Sequence, residues 1–342
     1  MPTTTIAPTI EEITPAWLSE ALGRPVSTVT STPVGTGQMA VCHRLTLDGG
    51  ETLLAKLPAA DPAYRAMVAG TYYSEVRFYA EIADTVAIRV PACSLAVGSP
   101  VTGDFTLLLE DLAPAEPGEQ LAGCTPDQAR DAVVNLAGLH GPRWCDPSLL
   151  DTDGFALSTP EEAALLSELL APATETFIEG LGELVSPEDR DTLRAAVDVI
   201  ERWALARTER FGLVHGDYRL DNMMFAPGGG VAALDWQTLS VGLPARDLSF
   251  FVGTSLGPGT RRATERDLVA AYHAALVGHG VTSYSLEECW DDYRFAMLQG
   301  PLISVFGCAY GTRTERGDRM FATMVARSCA AVRDLGTLAL VR

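Results

Sequence analysis

Leu213-Val214-His215-Gly216-Asp217-Tyr218-Arg219-Leu220-Asp221-Asn222-Met223-Met224-Phe225, then Gly228-Gly229-Gly230 and Val231-Ala232-Ala233-Leu234-Asp235-Trp236, form a β-rich island in a helical second half. Two apolar runs around a Gly-rich turn read as a β-hairpin. With a loop over residues 226–231, Phe225 pairs with Ala232 and Asn222 faces Asp235. Directly opposed residues have Cβ atoms about 4.5–5.5 Å apart, so an amide oxygen and a carboxylate converge. Two hard oxygen ligands with room for water and phosphates suit Mg²⁺. The alternative is a hairpin with two polar ends in water. Asp217 precedes Asn222 by five residues, in a polar loop after an apolar pair. A carboxylate held there can take a proton from an attacking hydroxyl. His215 reads as an anchor that hydrogen-bonds the loop rather than as a base.

Outward from this island, the 342 residues suffice for two lobes. Val26–Thr32, Val41–Leu47 and Thr52–Leu57 read as strands, with two more near Cys93–Val97 and Phe105–Leu109. A short helix over 14–22 precedes them, and a longer one over 62–83 carries Tyr72, Val76, Tyr79 and Ile82 on one face. Apolar periodicity is lost across Glu110-Asp111-Leu112-Ala113-Pro114-Ala115-Glu116-Pro117-Gly118, the expected lobe boundary. Thr125-Pro126-Asp127-Gln128 and Ser186-Pro187-Glu188-Asp189 then open helices. The expected fold is α+β and bilobal: residues 1–112 a small antiparallel-sheet lobe with one main helix, residues 113–342 a large helical lobe holding the 213–236 loop.

Net charge is −19, with 25 basic and 44 acidic residues, which argues against nucleic-acid binding and docking on anionic lipid. The seven cysteines form no C-x-x-C pair, and a reduced, cytoplasmic protein is expected. The N-terminus lacks the basic and apolar regions of a signal peptide. The uncharged-looking run from Phe295 to Thr312 contains Gln299, Gly300, Pro301, Ser304, Gly307 and Gly311 and reads as a buried core helix, not a membrane span.

His215-Gly216-Asp217-x-x-x-x-Asn222 followed by Leu234-Asp235-Trp236 resembles the catalytic core of the aminoglycoside phosphotransferase and choline kinase superfamily, which shares the protein-kinase fold. Glu75-Val76-Arg77-Phe78-Tyr79 and Leu107-Leu108-Leu109-Glu110-Asp111-Leu112 resemble its bacterial phosphotransferase and ecdysteroid-kinase-like branches. Trp236-Gln237 departs from Phe-Gly, Gly216 stands where protein kinases have Arg, and no Ala-Pro-Glu follows, which argues against a protein kinase.

The resemblance implies transfer of the γ-phosphoryl group of ATP or GTP to the hydroxyl of a small molecule, with no protein partner. Asp217 would be the catalytic base, and Asn222 and Asp235 would hold one or two Mg²⁺. Lys56, in an apolar strand of a chain where lysine is rare, would fix the α- and β-phosphates; the alternative is an outward, solvated residue. Glu75 is the carboxylate expected to hold Lys56, with Glu81 as rival. Gly35 and Gly37 occupy the nucleotide-loop position, where a plain hairpin turn would look the same. Glu110 and Leu112 belong to the hinge whose backbone would read the base edge. Asp247 would brace the loop, while Arg219 either touches phosphate or pairs with Asp221. The acceptor could meet an acidic, aromatic patch over Glu287–Tyr293 through cation–π contact, or an apolar pocket with Phe306 and Tyr310; that patch also reads as an ordinary amphipathic helix. The alternative from another class is a silent nucleotide-binding pseudokinase used as scaffold or sensor.

Overall fold

A computed structural model describes residues 5–35 and 39–341, which form two compact units, each discontinuous in sequence. The first comprises residues up to Thr85, Val90–Ala115 and Leu234–Leu239. Its five-stranded antiparallel sheet is built from β1 (Val29–Val34), β2 (Ala40–Leu47), β3 (Thr52–Pro58), β4 (Cys93–Gly98) and β5 (Phe105–Glu110) in the order β1-β2-β3-β5-β4. Alternation along β3 sends Leu53, Ala55 and Leu57 into one core and Lys56 to the opposite face. That core joins Leu45, Leu47 and Leu108 to Leu18 of α1 (Pro15–Leu22), whose N-cap Thr14 accepts a bond from Trp17 and whose end is Gly23.

The helix expected over 62–83 is interrupted. α2 (Pro62–Met67) stops at Val68, α3 (Ala69–Arg77) follows, and the chain continues as a wide turn of π-helix over Phe78–Ile82. Arg65 ties α2 to the sheet side, donating to Ala59 O at 2.6 Å, Ala60 O at 3.0 Å and Asp104 at 2.7 Å. α3 instead follows Glu75, which is buried against Lys56. These two anchors fix two helix directions, and Gly70 weakens the helix where they must part.

The second unit comprises Val86–Arg89, Glu116–Ala233 and Ser240–Arg342. Its helices are α4 (Pro126–His140), α5 (Pro160–Leu181), α6 (Pro187–Val197), α7 (Ile200–Leu205), α8 (Ala245–Ser255), α9 (Pro258–Gly278), α10 (Leu286–Phe295), α11 (Gln299–Tyr310), α12 (Glu315–Leu335) and α13 (Thr337–Leu340). Capping boxes close the starts of α4, α5 and α10. Among these helices lie β6 (Glu116–Pro117), β7 (Gly212–Val214), β8 (Met223–Phe225), β9 (Val231–Ala233) and β10 (Ser240–Gly242), with sheet orders β6-β8-β9 and β10-β7. The arrangement is α+β: an antiparallel sheet unit and a mostly helical remainder. The uncharged run spans the end of α10, a 3-10 turn over Ala296–Leu298 and α11, buried over most of its length but exposed at Tyr310, and among the described residues no helix is long and apolar enough to cross a membrane.

The hairpin forms one residue out of the expected register. Phe225 pairs with Val231, Met224 with Ala232 and Met223 with Ala233, so the loop has five residues, 226–230. It closes through Gly229 N–H to Ala226 O at 3.0 Å and Ala226 N–H to Gly230 O at 3.1 Å. The ladder ends at Met223 and Ala233, so a directly opposed Asn222–Asp235 pair does not exist.

Candidate active site

The first unit gathers an ammonium and two carboxylates. Lys56 Nζ donates to Glu75 Oε2 at 2.6 Å and to Asp235 Oδ1 at 3.3 Å. Lys56 is the only lysine among the 342 residues, and its side chain is 12% exposed, so the outward reading fails. Burial opposes the Lys56 charge most strongly. The charges of Glu75 and Asp235 and the hydrogen bond to Glu75 outweigh it, so the ammonium titrates above its ordinary range. Burial also pushes the Glu75 carboxyl up, with Lys56 pulling against it. The rival Glu81 is spent on Arg77 at 3.3 Å. Cys42 faces Lys56 across the β2–β3 ladder, and burial raises its thiol.

Asp235 reaches Lys56 from a chain segment pinned by its neighbour. Trp236 is fully buried and stacks on Phe78 with ring centroids 3.6 Å apart and planes 2° from parallel. Trp236 O accepts from Ser74 Oγ at 3.3 Å, and Gln237 Nε2 lies 3.5 Å from Glu75. Asp235 itself takes a left-handed backbone, φ +66°, which Asp tolerates better than bulkier residues. The exposure of its side chain, 39%, leaves the second oxygen open to a ligand.

Gly35 has φ +74° and ends the strand side of its turn, while Gly37 lies outside the described residues. At the hinge, Glu110 N–H is bonded to Ala92 O at 2.8 Å and Leu112 O accepts from Ala115 N–H at 2.8 Å. Leu112 N–H makes no hydrogen bond among the described residues. Asp111 is bound by Arg44, with Nε–Oδ2 at 2.6 Å.

The second unit builds the loop around Asp217. Asp247, fully buried on α8, accepts from His215 N–H at 2.6 Å and Gly216 N–H at 2.9 Å and lies 3.3 Å from His140 Nε2. His215 is itself buried, and its Nδ1 accepts from Asp217 N–H at 3.3 Å. Both residues brace the loop, as expected. Gly216 has φ +84°, a conformation in which a side chain is strained. Asn222 Nδ2 donates to Asp217 O and to Asp217 Oδ2, both at 2.9 Å. Its amide oxygen accepts no hydrogen bond among the described residues. Arg219 binds Asp217 and Asp221 together, so pairing with Asp221 holds and extends to the expected base.

Several contributors escaped the sequence reading because their partners are about a hundred residues away. Gln120, fully buried, accepts from Leu220 N–H at 2.9 Å, and its own N–H donates to Asp221 at 2.9 Å. A Cβ on Gly118 would sit 2.4 Å from Leu220 O, so only glycine lets β6 run this close to the loop. His140 Nδ1 meets Tyr272 Oη at 2.7 Å behind Asp247. Part of the acidic patch is already paired: Asp291 lies 2.7 Å from Arg207, and buried Asp292 is bound by Arg207, Arg210 and Tyr284, while Glu287 stays exposed. Glu288 caps α10 through Ser285, and Trp290 is covered by Arg266, 3.5 Å from its ring centroid. This helix is the amphipathic one that its sequence also allowed. Phe306 and Tyr310 touch at 5.6 Å, with Tyr310 exposed.

Residues 32–283 match the phosphotransferase enzyme family. The chain is a member of that family. Among curated proteins no match was found. The phosphotransferase also resembles solved structures in fold. One is the macrolide 2′-phosphotransferase of Brachybacterium faecium, 17% identical, covering 92% of this chain and 95% of that one at a TM-score of 0.50. An ADP-bound aminoglycoside phosphotransferase is 16% identical over 92% and 97% of the two chains, with a TM-score of 0.52. The ethanolamine kinase of Plasmodium vivax is 10% identical over 91% and 85%, with a TM-score of 0.51. At such identities the likeness concerns the fold.

Proposed function

We propose that this phosphotransferase moves the γ-phosphoryl group of ATP or GTP to a hydroxyl of a small molecule. Residues 1–112 would serve the nucleotide and 113–342 the acceptor. The observation that carries the reading is Lys56 shared between Glu75 and Asp235, a buried ammonium fixed with a carboxylate beside it. Glu75 orients Lys56 toward the α- and β-phosphates, and the unbonded Leu112 N–H is a donor for the base edge. Glu110 and Gly35 would border the same nucleotide; Gly37 lies outside the described residues.

Asp217 accepts the hydroxyl proton as the acceptor oxygen bonds to the γ-phosphorus. The bond from that phosphorus to the β–γ bridging oxygen breaks, and nucleoside diphosphate leaves. Arg219 and Asn222 hold the Asp217 carboxylate in one orientation, so its remaining lone pairs can meet the hydroxyl. Catalysis here is mainly positioning and charge stabilisation.

By its chemistry each of the two proposed residues suits Mg²⁺, taken within its own unit. Asn222 turns its amide nitrogen to Asp217, which leaves the oxygen as a ligand, and Asp235 has an exposed carboxylate. When bound, Mg²⁺ would neutralise charge on the phosphate oxygens.

Asp217→Ala tests the reading. Phosphoryl transfer should fall by about 10²–10⁴-fold with nucleotide affinity nearly unchanged. Undiminished transfer, followed as labelled phosphate in product, would refute the base assignment. A pseudokinase would bind magnesium–nucleotide and transfer to no alcohol at all.

A further inference from the structure

α3 carries Glu75 to Lys56, and its own start does little to hold it there. Its N-cap, Val68, offers no side-chain cap, and Gly70 weakens the first turn. Three side chains fasten the helix instead. Glu75 meets Lys56 at 2.6 Å, and Ser74 Oγ donates to Trp236 O at 3.3 Å. The third is Tyr72, one turn before Glu75 on the same side of the helix. Tyr72 is buried, and its ring lies against Phe105 of β5 with centroids 4.8 Å apart. Its hydroxyl accepts from Ala59 N–H at 3.3 Å and donates to Met39 O. Ala40 and Pro58 form the last rung of the β2–β3 ladder, so Met39 and Ala59 stand where the next rung would be. No backbone bond joins those two among the described residues. A phenol oxygen from α3 takes its place.

Removal of that oxygen alone would leave the ring wedged between Met39 and Ala59. An N–H and a carbonyl, both on half-buried residues, would then face carbon on that side. They regain partners, each other or water, only if the ring withdraws. The ring belongs to α3, so its withdrawal draws Glu75 away from Lys56. Thr106 gives the comparison. Its hydroxyl also bridges two backbone groups, accepting from Ala7 N–H and donating to Ala7 O, both at 2.9 Å, and it too is fully buried. That bridge ties β5 to the N-terminal segment and leaves α3 untouched.

We infer that Tyr72 is a positioning residue of the nucleotide site: its hydroxyl locks α3 to the ends of β2 and β3 and so holds Glu75 on Lys56. The consequence for nucleotide rests on the phosphotransferase reading above; the state of Lys56 does not. With Glu75 drawn off, Lys56 loses a charge partner and gives up its proton more easily. It keeps only Asp235, and a nucleotide meets a lysine that is no longer fixed from two sides.

Lys56 is the only lysine of the chain, so its acetylation reports on it directly. The whole protein is treated with N-hydroxysuccinimidyl acetate in mildly alkaline buffer, and the peptide holding Lys56 is quantified by mass spectrometry. In Tyr72→Phe, with its fold checked by thermal melting, Lys56 should react roughly five- to tenfold faster than in the wild type, the worth of one hydrogen bond. Thr106→Val should melt earlier yet leave the Lys56 rate unchanged. Glu75→Gln should also speed the reaction, and adding Tyr72→Phe to it should change the rate little further, because both act on one contact. Affinity for magnesium–ATP and magnesium–GTP, measured by calorimetry without an acceptor, should fall in Tyr72→Phe by a similar factor. An unchanged Lys56 rate in Tyr72→Phe, an equal rise in Thr106→Val, or full additivity with Glu75→Gln would each overturn the lock. A faster Lys56 with undiminished nucleotide affinity would overturn its part in the site. A wild-type protein that binds neither nucleotide would overturn the phosphotransferase reading, while the acetylation rates would still decide whether Tyr72 holds Glu75 on Lys56.

Discussion

The two parts of the proposed catalytic machinery are built by different physics. Around Lys56, charged side chains hold one another: one ammonium, two carboxylates and a stacked tryptophan that pins the second. Around Asp217, one buried carboxylate holds backbone: Asp247 takes the N–H groups of His215 and Gly216, and His140 and Tyr272 stand behind it. The first arrangement fixes charge where charge is to be met. The second fixes chain geometry and leaves the carboxylate of the proposed base, Asp217, 25% exposed. Damage to the first should therefore cost binding and rate with little loss of stability, and damage to the second should cost both.

The largest effect tests that contrast directly. Asp247→Ala strands two backbone donors in a dry site, and breaking such a buried charged network costs about 3–5 kcal/mol. Urea unfolding should register this, together with a fall in turnover. A variant that lost turnover but kept full stability would erase the distinction. Next, Lys56→Ala should lower kcat/KM for the nucleotide by roughly 100-fold, about 3 kcal/mol, with a much smaller change in unfolding midpoint. Lys56→Arg should not restore it, because a planar guanidinium does not replace a compact ammonium between two carboxylates.

Gly216→Ala probes the loop backbone alone. A left-handed conformation costs an ordinary residue about 1–2 kcal/mol, and the loss should appear in stability first. The smallest effect concerns the hinge. The hydrogen bond from Arg44 holds the Asp111 carboxyl below its usual range, with burial opposing. Its folded value is depressed, so the pair stabilises above the ordinary carboxylate pKa of about 3.9 and ceases to as pH falls through the lower, folded value. Arg44 is 39% exposed, and screening limits the pair to about 0.5 kcal/mol, which an Arg44→Ala melt at pH 7 should detect and one at pH 2 should not.

The part of this site that could be read from sequence is the part made of rare residue types at short spacing. Asp217 and Asn222 share one loop, and Lys56 stands alone in an apolar strand, so few alternatives compete. The Val-Arg-Phe-Tyr stretch after Glu75 favours it over Glu81, and in three dimensions Arg77 occupies the rival. The hairpin register slipped because Val231-Ala232-Ala233-Leu234 is apolar at every position and so has no face to specify pairing. The interrupted helix over 62–83 turned on Arg65, whose carbonyl and carboxylate partners no periodicity reveals. The pairing within α10 was hidden for the same reason, since the arginines that neutralise Asp291 and Asp292 lie more than eighty residues upstream.

A solitary lysine inside β3, flanked by β2 on one side and β5 on the other, leaves a lysine-specific endoprotease a single bond to cut, between Lys56 and Leu57. That bond is reachable only when the strand leaves its neighbours. The appearance of two fragments, residues 1–56 and 57–342, would therefore serve as a clock for opening of the sheet, readable on a gel with no label attached to the protein.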